Sequence, residues 1–297
     1  MTALAPDRLD DALAALAGDP ALTVLAGGTD LMVAVNYGHR RPESVLSLRR
    51  LAELRGWTVE PGPGGDEVVL GATTTYTDLL RPELAGLLPA LAQAARTVGS
   101  PQIRNAGTVG GNLATGSPAG DTLPVLVAHG ARVELASARG RRTLAVGDFL
   151  VGPKLTALRP GELLAAVRVP VATGPAEFLK IGVRNAMVIA VASCALVVDR
   201  RRRTLRCALG SVGPVPVRDP EAEGWLADQL DWDAGTLPPP ALAGVADEFG
   251  RRLAAMCRPI DDHRATADYR RHAVGVMARR AVARAWGPGP AADGQAA

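Results

Sequence analysis

The sequence has few cysteines, almost no lysine, few aromatic side chains and no long apolar run. Its three cysteines, Cys194, Cys207 and Cys257, lie far apart along the chain, and none belongs to a Cys-x-x-Cys pair. Such spacing argues against a disulfide framework and against a zinc or iron–sulfur site built by this chain alone. The four histidines are also not spaced like metal ligands. We therefore predict that the chain carries no metal of its own.

Aromatic residues make up 3% of the 297 residues, and the net charge is only +3. Proteins that bind nucleic acid use base stacking and many phosphate contacts, so this composition predicts no nucleic-acid partner. The longest apolar run, 186–198, is shorter than a membrane span and contains Ser193 and Cys194. The first residues contain neither a basic leader nor a continuous apolar stretch. We expect a cytoplasmic protein with no membrane span.

Hydrophobic residues, at 47%, are frequent enough for a sizeable core, and the length favours more than one domain. Residues 1–56 alternate helix and strand signals, as in a small α/β unit. Residues 57–172 combine a predicted hairpin, a glycine-rich stretch and further strands. Residues 173–286 run from strands to helices, which is typical of an α+β domain. The tail, 287–297, is predicted to be disordered.

Hydrophobic periodicity and turn residues predict the individual elements. In the first segment we predict a helix at 7–17, strands at 23–26 and 44–48, and a helical turn at 31–36. In the second we predict a hairpin of 57–60 and 67–71, helices at 75–80, 84–98 and 121–129, a loop at 99–120, and strands at 131–137, 141–146 and 162–169. In the third we predict strands at 177–183, 187–199 and 204–210, and helices at 220–229, 240–256 and 265–285.

Two glycine loops are the segments of the sequence that indicate ligand binding. Residues 25–31 read Leu-Ala-Gly-Gly-Thr-Asp-Leu, and residues 103–113 read Ile-Arg-Asn-Ala-Gly-Thr-Val-Gly-Gly-Asn-Leu. Glycine lets successive backbone N–H groups turn toward one concavity, and the missing Cβ lets a ligand approach the backbone closely. Together with the threonine hydroxyls, these features suit a diphosphate.

Each loop alone also fits a purely structural turn, and for Gly27-Gly28 taken by itself that interpretation is favoured. Neither loop reads Gly-x-Gly-x-x-Gly, and the chain contains no P-loop and no Gly-x-Ser-x-Gly elbow. The pattern therefore favours a protein that binds a phosphorylated ligand over a nucleotide hydrolase or a serine hydrolase.

In combination, the motifs are specific. Ala26-Gly-Gly-Thr-Asp30 is followed by Val98-Gly-Ser-Pro-Gln-Ile-Arg-Asn-Ala-Gly-Thr-Val-Gly-Gly-Asn-Leu-Ala-Thr-Gly-Ser-Pro-Ala-Gly-Asp121. Three more blocks follow in order: Lys180-Ile-Gly-Val-Arg-Asn-Ala-Met187, Ala208-Leu-Gly-Ser-Val-Gly-Pro214, and Asp262-His-Arg-Ala-Thr-Ala-Asp-Tyr-Arg-Arg-His272. The sequence resembles, over nearly its whole length, the FAD-binding medium subunit of the molybdenum hydroxylases. That family includes xanthine dehydrogenases, carbon monoxide dehydrogenases and nicotinate-type dehydrogenases.

The resemblance implies a two-subdomain FAD-binding domain like that of vanillyl-alcohol oxidase (the PCMH type), followed by a C-terminal α+β domain. The first subdomain would be 1–56, the second 57–172 and the C-terminal domain 173–286. FAD would lie between the two subdomains, with its diphosphate held by both glycine loops.

The resemblance also implies which residues contact FAD. The first loop would contribute Ala26, Gly27, Gly28, Thr29, Asp30 and Leu31, and the second Thr108, Gly110, Gly111 and Asn112. Thr115 and Asp121 fall at positions that contact the polar chain of the cofactor, and Leu164 and Lys180 at positions near the flavin ring. For two of these residues a structural role is an alternative, because Asp121 is also suited to cap the helix that follows it and Leu164 to pack in the core.

The resemblance implies electron transfer with no acid or base supplied by this chain. Electrons would come from a molybdopterin-binding large subunit through the iron–sulfur clusters of a small subunit and pass through FAD to NAD or another acceptor. The assembly would be a heterotrimer or its dimer. Gly27-Gly-Thr-Asp30 differs from the Gly-Gly-His-Ser common in carbon monoxide dehydrogenases, which favours a xanthine- or N-heterocycle-type relative. The alternatives are a stand-alone flavin oxidoreductase of the same fold and a non-catalytic scaffold subunit that has lost FAD.

Overall fold

The structure, a computed structural model, describes residues 2–185 and 187–287. The tail predicted to be disordered lies, from residue 288 onward, outside the described residues. The strands are β1 (Thr2–Leu4), β2 (Thr23–Leu25), β3 (Ser44–Ser47), β4 (Trp57–Gly62), β5 (Gly65–Gly71), β6 (Arg132–Ser137), β7 (Gly140–Ala145), β8 (Leu150–Gly152), β9 (Leu155–Thr156), β10 (Leu163–Pro170), β11 (Ala176–Ile181), β12 (Ala192–Asp199), β13 (Thr204–Gly210) and β14 (Val217–Arg218).

The helices are α1 (Leu9–Gly18), α2 (Leu31–Asn36), α3 (Tyr76–Leu79), α4 (Pro82–Leu87), α5 (Pro89–Thr97), α6 (Pro101–Ala106), α7 (Val109–Thr115), α8 (Thr122–His129), α9 (Val146–Phe149), α10 (Pro220–Gln229), α11 (Pro239–Met256) and α12 (Ala267–Trp286), with a 3-10 turn at Ala52–Leu54. No helix among the described residues is long and apolar enough to cross a membrane.

The N-terminal unit is a parallel sheet of order β1-β3-β2. The apolar positions of α1, at Leu9, Ala12, Leu13 and Leu16, fall on one face, and that face is buried in a core with Leu46 of β3. The predicted α/β unit is therefore confirmed, and the short helix at 31–36 has the predicted bounds. This helix buries none of its residues, so it lies at the surface immediately after the first glycine loop.

The second unit is built on an antiparallel sheet of order β4-β5-β10-β6-β7. Two predictions for this region are wrong. The single helix expected at 84–98 is split into α4 and α5, because Pro89 has no N–H to donate and disfavours helical geometry at Leu88. The loop expected at 99–120 contains α6 and α7.

The C-terminal domain is an antiparallel sheet of order β11-β12-β13-β14, with α10, α11 and α12 packed on one face. The other face joins the core of the second unit, where Phe178, Ala195 and Ala208 pack with residues of α5 and α8. The α+β class is confirmed. Strand β12 begins at Ala192, later than the predicted Met187.

A buried arginine connects several segments of the C-terminal domain through hydrogen bonds. Arg270, which is 1% exposed, donates from its guanidinium to the Val191 carbonyl at 2.5 Å, to the Ser211 carbonyl at 3.1 Å and to Asp262 at 2.7 Å. Hydrogen bonds from Arg264 and, in addition, from Arg270 hold the pKa of the Asp262 carboxyl well below its ordinary value. This cluster ties the start of α12 to the sheet through residues of the 262–272 block.

Helix α8, which begins after the glycine-rich stretch 99–120, ends at a buried histidine. His129, the last residue of α8, donates from Nδ1 to the carbonyl of Pro170 at 2.9 Å, while its Nε2 is buried with no partner among the described residues. Burial is the main cause that lowers the pKa of His129 to about 4, and the cation of Arg206 lowers it further. The imidazole is therefore neutral in the folded chain at pH 7.

We expect acid to destabilise the fold through His129. The pKa of His129 is about 4 in the folded state and near 6.5 in the unfolded state. Between these two pH values the folded state binds fewer protons than the unfolded state, so the free energy of unfolding falls as pH drops. Between pH 8 and pH 5 the loss from this group is about 2 kcal/mol. Urea unfolding at both values measures the loss.

His129→Asn is the matched variant, because an amide nitrogen can replace Nδ1 as donor to Pro170 without titrating. The other three histidines are exposed and remain in the variant. If the variant and the wild type lost the same stability between pH 8 and pH 5, the prediction would be wrong.

Candidate cofactor-binding site

The first glycine loop joins β2 to α2 and touches the second-unit backbone. Gly28 has a φ of +73°, a conformation that side chains with a Cβ rarely adopt. A Cβ on Gly27 would lie 1.8 Å from the carbonyl oxygen of Ala106. Gly27 is therefore required for the close approach of this loop to the chain just before the second loop, which is a structural role beyond any ligand contact.

The second glycine loop opens α7. The hydroxyl of Thr108 accepts a hydrogen bond from the N–H of Gly111 at 3.0 Å and caps the helix. The N–H of Gly110 donates to the carbonyl of Ala72 at 2.9 Å, and a Cβ on Gly110 would lie 2.6 Å from that oxygen. Gly110 is therefore buried against the sheet, while Gly111 is only half-buried.

The two loops face each other at Gly111 and Ala26. A Cβ on Gly111 would lie 4.0 Å from the Cβ of Ala26 and 2.8 Å from the hydroxyl oxygen of Thr108. Gly111 thus lies opposite the first loop, whereas Gly27 and Gly110 pack against backbone. The predicted juxtaposition of the loops is present.

The remaining residues of the first loop differ in exposure. Ala26, Thr29 and Leu31 are half-buried, and Asp30 is exposed with no side-chain hydrogen bond capping α2. On the second loop, the side-chain oxygen Oδ1 of Asn112 accepts a hydrogen bond from the hydroxyl of Thr122 at 2.6 Å, which links α7 to α8. Thr115 ends α7 and is half-buried. Contact of these residues with FAD stays a prediction.

Asp121 and Lys180 form a buried ion pair. The resemblance implies that these two residues contact different parts of the cofactor. The Lys180 ammonium lies 2.5 Å from Asp121 Oδ2, and the two side chains are 9% and 6% exposed. Asp121 makes no capping bond to α8, so the capping alternative is wrong. Its other oxygen, Oδ1, is buried with no partner among the described residues. Burial raises the pKa of the Asp121 carboxyl, and the charge of Lys180 opposes that rise.

Sequence reasoning missed Thr97, which completes this cluster. Its hydroxyl donates to Asp121 Oδ2 at 3.0 Å, shared with the Ala94 carbonyl at 2.8 Å, and its own carbonyl accepts from Lys180 Nζ at 3.2 Å. Thr97 ends α5, and a threonine at the end of a helix carries no signal in the sequence that would mark it. Only the packing of α5 against β11 and α8 brings it to the ion pair.

Leu164 lies in the hydrophobic core. It is 5% exposed and sits opposite Leu135 across the β10–β6 pair. Val109 and Leu113 of α7 belong to the same core. The structure therefore gives Leu164 a packing role beneath the second glycine loop, and its contact with the flavin stays a prediction.

These residues fit a flavin dinucleotide. Gly111 has no side chain of its own, and a Cβ there would lie 2.8 Å from the Thr108 hydroxyl oxygen and 4.0 Å from the Ala26 Cβ, so a diphosphate could approach the backbone here more closely than at a residue with a side chain. Asp121 Oδ1, which has no partner among the described residues, can accept a hydrogen bond from a ligand hydroxyl, because a buried carboxylate oxygen needs a donor. Two facing glycine loops, together with a buried carboxylate oxygen that has no partner among the described residues, are the features of a dinucleotide-binding protein.

Comparison with known proteins gives the family. Residues 1–172 match the family model of the FAD-binding domain in molybdopterin dehydrogenase, and residues 177–285 match that of the CO dehydrogenase flavoprotein C-terminal domain. The chain belongs to the FAD-binding medium subunits of the molybdenum hydroxylases. FAD is accordingly its cofactor.

Individual relatives cover nearly the whole chain. The carbon monoxide dehydrogenase medium chain of Hydrogenophaga pseudoflava is 35% identical over 292 residues, which is 95% of this chain and 96% of that protein. A putative xanthine dehydrogenase FAD-binding subunit of Escherichia coli K12 is 31% identical over 286 residues, covering 93% of each chain. The crystal structure of the Cu,Mo-CO dehydrogenase in its cyanide-inactivated form matches with a TM-score of 0.83 and 33% identity over 96% of this chain and 97% of that one.

We expect Gly111→Val to abolish FAD binding while the chain still folds. The new side chain would occupy the gap toward Ala26 and crowd the Thr108 hydroxyl, so a diphosphate could no longer reach the backbone. The flavin absorbance per purified chain measures the loss, and circular dichroism checks the fold.

Gly224→Val is the matched control. Gly224 also lies in a helix, α10, and a Cβ there would meet nothing within 4 Å. Flavin content equal to wild type in Gly111→Val, or loss of flavin in both variants, would contradict the placement of the diphosphate at this loop.

Proposed function

We propose that this chain is the flavin subunit of a multi-subunit molybdenum hydroxylase and passes electrons from the iron–sulfur clusters of a partner to NAD or another acceptor. The observation that carries the proposal is the buried Lys180–Asp121–Thr97 cluster at the junction of the second unit and the C-terminal domain. A fixed ammonium group such as that of Lys180 would suit a bound flavin, because it would stabilise the negative charge of the reduced ring. Family membership supports the same conclusion.

The chain's own residues bind and orient the cofactor. Gly28, Gly111 and the Thr108 hydroxyl would hold the diphosphate, and Asp121 Oδ1 would accept a hydrogen bond from a ribityl or ribose hydroxyl. FAD, when bound, supplies the chemistry of accepting and releasing electrons. The ammonium of Lys180 stabilises negative charge near the flavin ring. No side chain of this chain is required as an acid or a base.

The proposed partners are a molybdopterin-binding large subunit and an iron–sulfur small subunit, in a heterotrimer or its dimer. The relatives support this assembly, since they are named as medium chains and FAD-binding subunits of dehydrogenases. The substrate would be oxidised on the large subunit. The Thr29-Asp30 pair in the first loop favours a xanthine- or N-heterocycle-type substrate.

Copurification from the native host tests the assembly. We expect this chain to elute in one complex with two other chains, with molybdenum, iron and a flavin spectrum. The control is the same chain produced alone, which should carry flavin but neither metal. Recovery from the host as a stable monomer without iron or molybdenum would overturn the heteromeric assignment, and a colourless chain that takes up no added FAD would overturn the flavin assignment.

We expect Lys180→Ala to retain FAD and to lower the flavin reduction potential. Removing the ammonium takes away a positive charge that stabilises the reduced, more negative flavin. Spectroelectrochemical titration of the purified protein measures the potential without substrate turnover.

Lys180→Arg is the control, because it keeps the charge while changing the shape of the group. We expect its potential to lie closer to wild type than that of Lys180→Ala. An unaltered potential in Lys180→Ala would reduce Lys180 to a structural partner of Asp121.

A further inference from the structure

Tyr76, the first residue of α3, is a buried tyrosine whose hydroxyl makes no hydrogen bond to any described residue. Its side chain is only 4% exposed, and the groups that act on its phenol are the surrounding apolar atoms and the charge of Asp121. A buried tyrosine hydroxyl usually finds a hydrogen-bond partner. Within the described part of the chain, the donor of Tyr76 is therefore unused.

The backbone and ring of Tyr76 are fixed against the second glycine loop. Its N–H donates to the Gly107 carbonyl at 3.1 Å, and the preceding residue, Thr75, forms a capping box with Asp78 at the start of α3. A Cβ on Gly107 would lie 2.8 Å from Cε2 of the Tyr76 ring, so the ring can lie this close only because residue 107 is a glycine. The phenol is thus held beside the loop that is proposed to bind the diphosphate.

The packing also brings Tyr76 to the helix that supplies Thr97. Tyr76 shares a hydrophobic core with Ala94 and Ala95 of α5, and Thr97 ends this helix with its hydroxyl bonded to Asp121 Oδ2. Helix α3 packs on α5. The tyrosine and the buried carboxylate therefore lie on the two sides of one short helix end.

Asp121 supplies the complementary feature, which is an unused acceptor. Lys180 and Thr97 both bond to Oδ2, while Oδ1 is buried with no partner among the described residues. Burial raises the pKa of the Tyr76 phenol, and the negative charge of Asp121 raises it further. The carboxylate is thus close enough to act on the phenol, which stays protonated at neutral pH and keeps its donor.

We propose that Tyr76 is a further cofactor-binding residue, whose phenol donates a hydrogen bond to a ribityl or ribose hydroxyl of FAD that itself donates to Asp121 Oδ1. A hydroxyl fits both groups, because it accepts and donates at the same oxygen. A phosphate oxygen could accept from Tyr76, but it has no proton for Asp121 and its charge repels the carboxylate. The inference rests on the proposed function, which places FAD at Asp121.

Titration of the flavin-free full chain with FAD tests the proposal in wild type and in Tyr76→Phe. The substitution removes the phenol oxygen and keeps the ring that packs against Gly107. We expect the dissociation constant of FAD to increase about threefold to tenfold, because the complex loses one hydrogen bond in a buried site. Calorimetry, or the change in flavin fluorescence on binding, measures the constant without substrate turnover.

Thermal unfolding separates ligand binding from a structural role. Without FAD, Tyr76→Phe should melt no lower than wild type, because the hydroxyl that it removes has no partner among the described residues. At one fixed FAD concentration, the rise in melting temperature should be smaller in the variant, since weaker binding stabilises the folded chain less.

Tyr269→Phe is the matched control. Tyr269 lies in the first turn of α12 and is 46% exposed, so loss of its hydroxyl should leave the dissociation constant of FAD unchanged.

Three results would overturn the inference. One is that Tyr76→Phe binds FAD as tightly as wild type, and another is that Tyr269→Phe weakens binding to the same extent. The third is a lower melting temperature of the flavin-free Tyr76→Phe chain, which would assign the hydroxyl to the fold. A wild-type chain that takes up no FAD would instead overturn the proposed function, so the two failures are distinguishable.

Discussion

The buried pair of Asp121 and Lys180 is the constraint on which the arrangement of the site depends. It joins the start of α8 to β11, and Thr97 adds the end of α5. Removing one partner of a buried ion pair leaves an uncompensated charge and costs roughly 3–5 kcal/mol. The second unit and the C-terminal domain must therefore meet in the one register that brings these groups together. The apolar core supports that register, because Phe178 and Ala195 pack into the core of the second unit.

The glycine loops constrain how the first unit packs against the second. Gly27 and Gly110 allow backbone to approach backbone, at Ala106 and at Ala72. That approach brings the first unit against the second and places Gly111 opposite Ala26. The structural and binding interpretations of these glycines are therefore not exclusive. Some glycines shape the cleft, and a neighbouring one supplies its open backbone.

Local signals in the sequence predicted most elements well. The bounds of α2, β13 and α10 agree with the structure because each has strong local markers, such as the proline that begins α10. The missed helix α7 has the sequence Val-Gly-Gly-Asn-Leu-Ala-Thr, whose glycines have low helix propensity. It is stabilised by its Thr108 cap and by burial of Val109 and Leu113. Such tertiary burial is not visible in a local pattern.

The sequence by itself determined the family, the two facing glycine loops and the α+β class, because these depend on ordered motifs and on periodicity that are local to short segments. Only the tertiary structure decided that Asp121 pairs with Lys180 and that Thr97 joins them. Residues 97, 121 and 180 are far apart in the chain. Their contact depends on how α5, α8 and β11 pack, and that packing results from the burial of many side chains together and not from the pattern of any one segment.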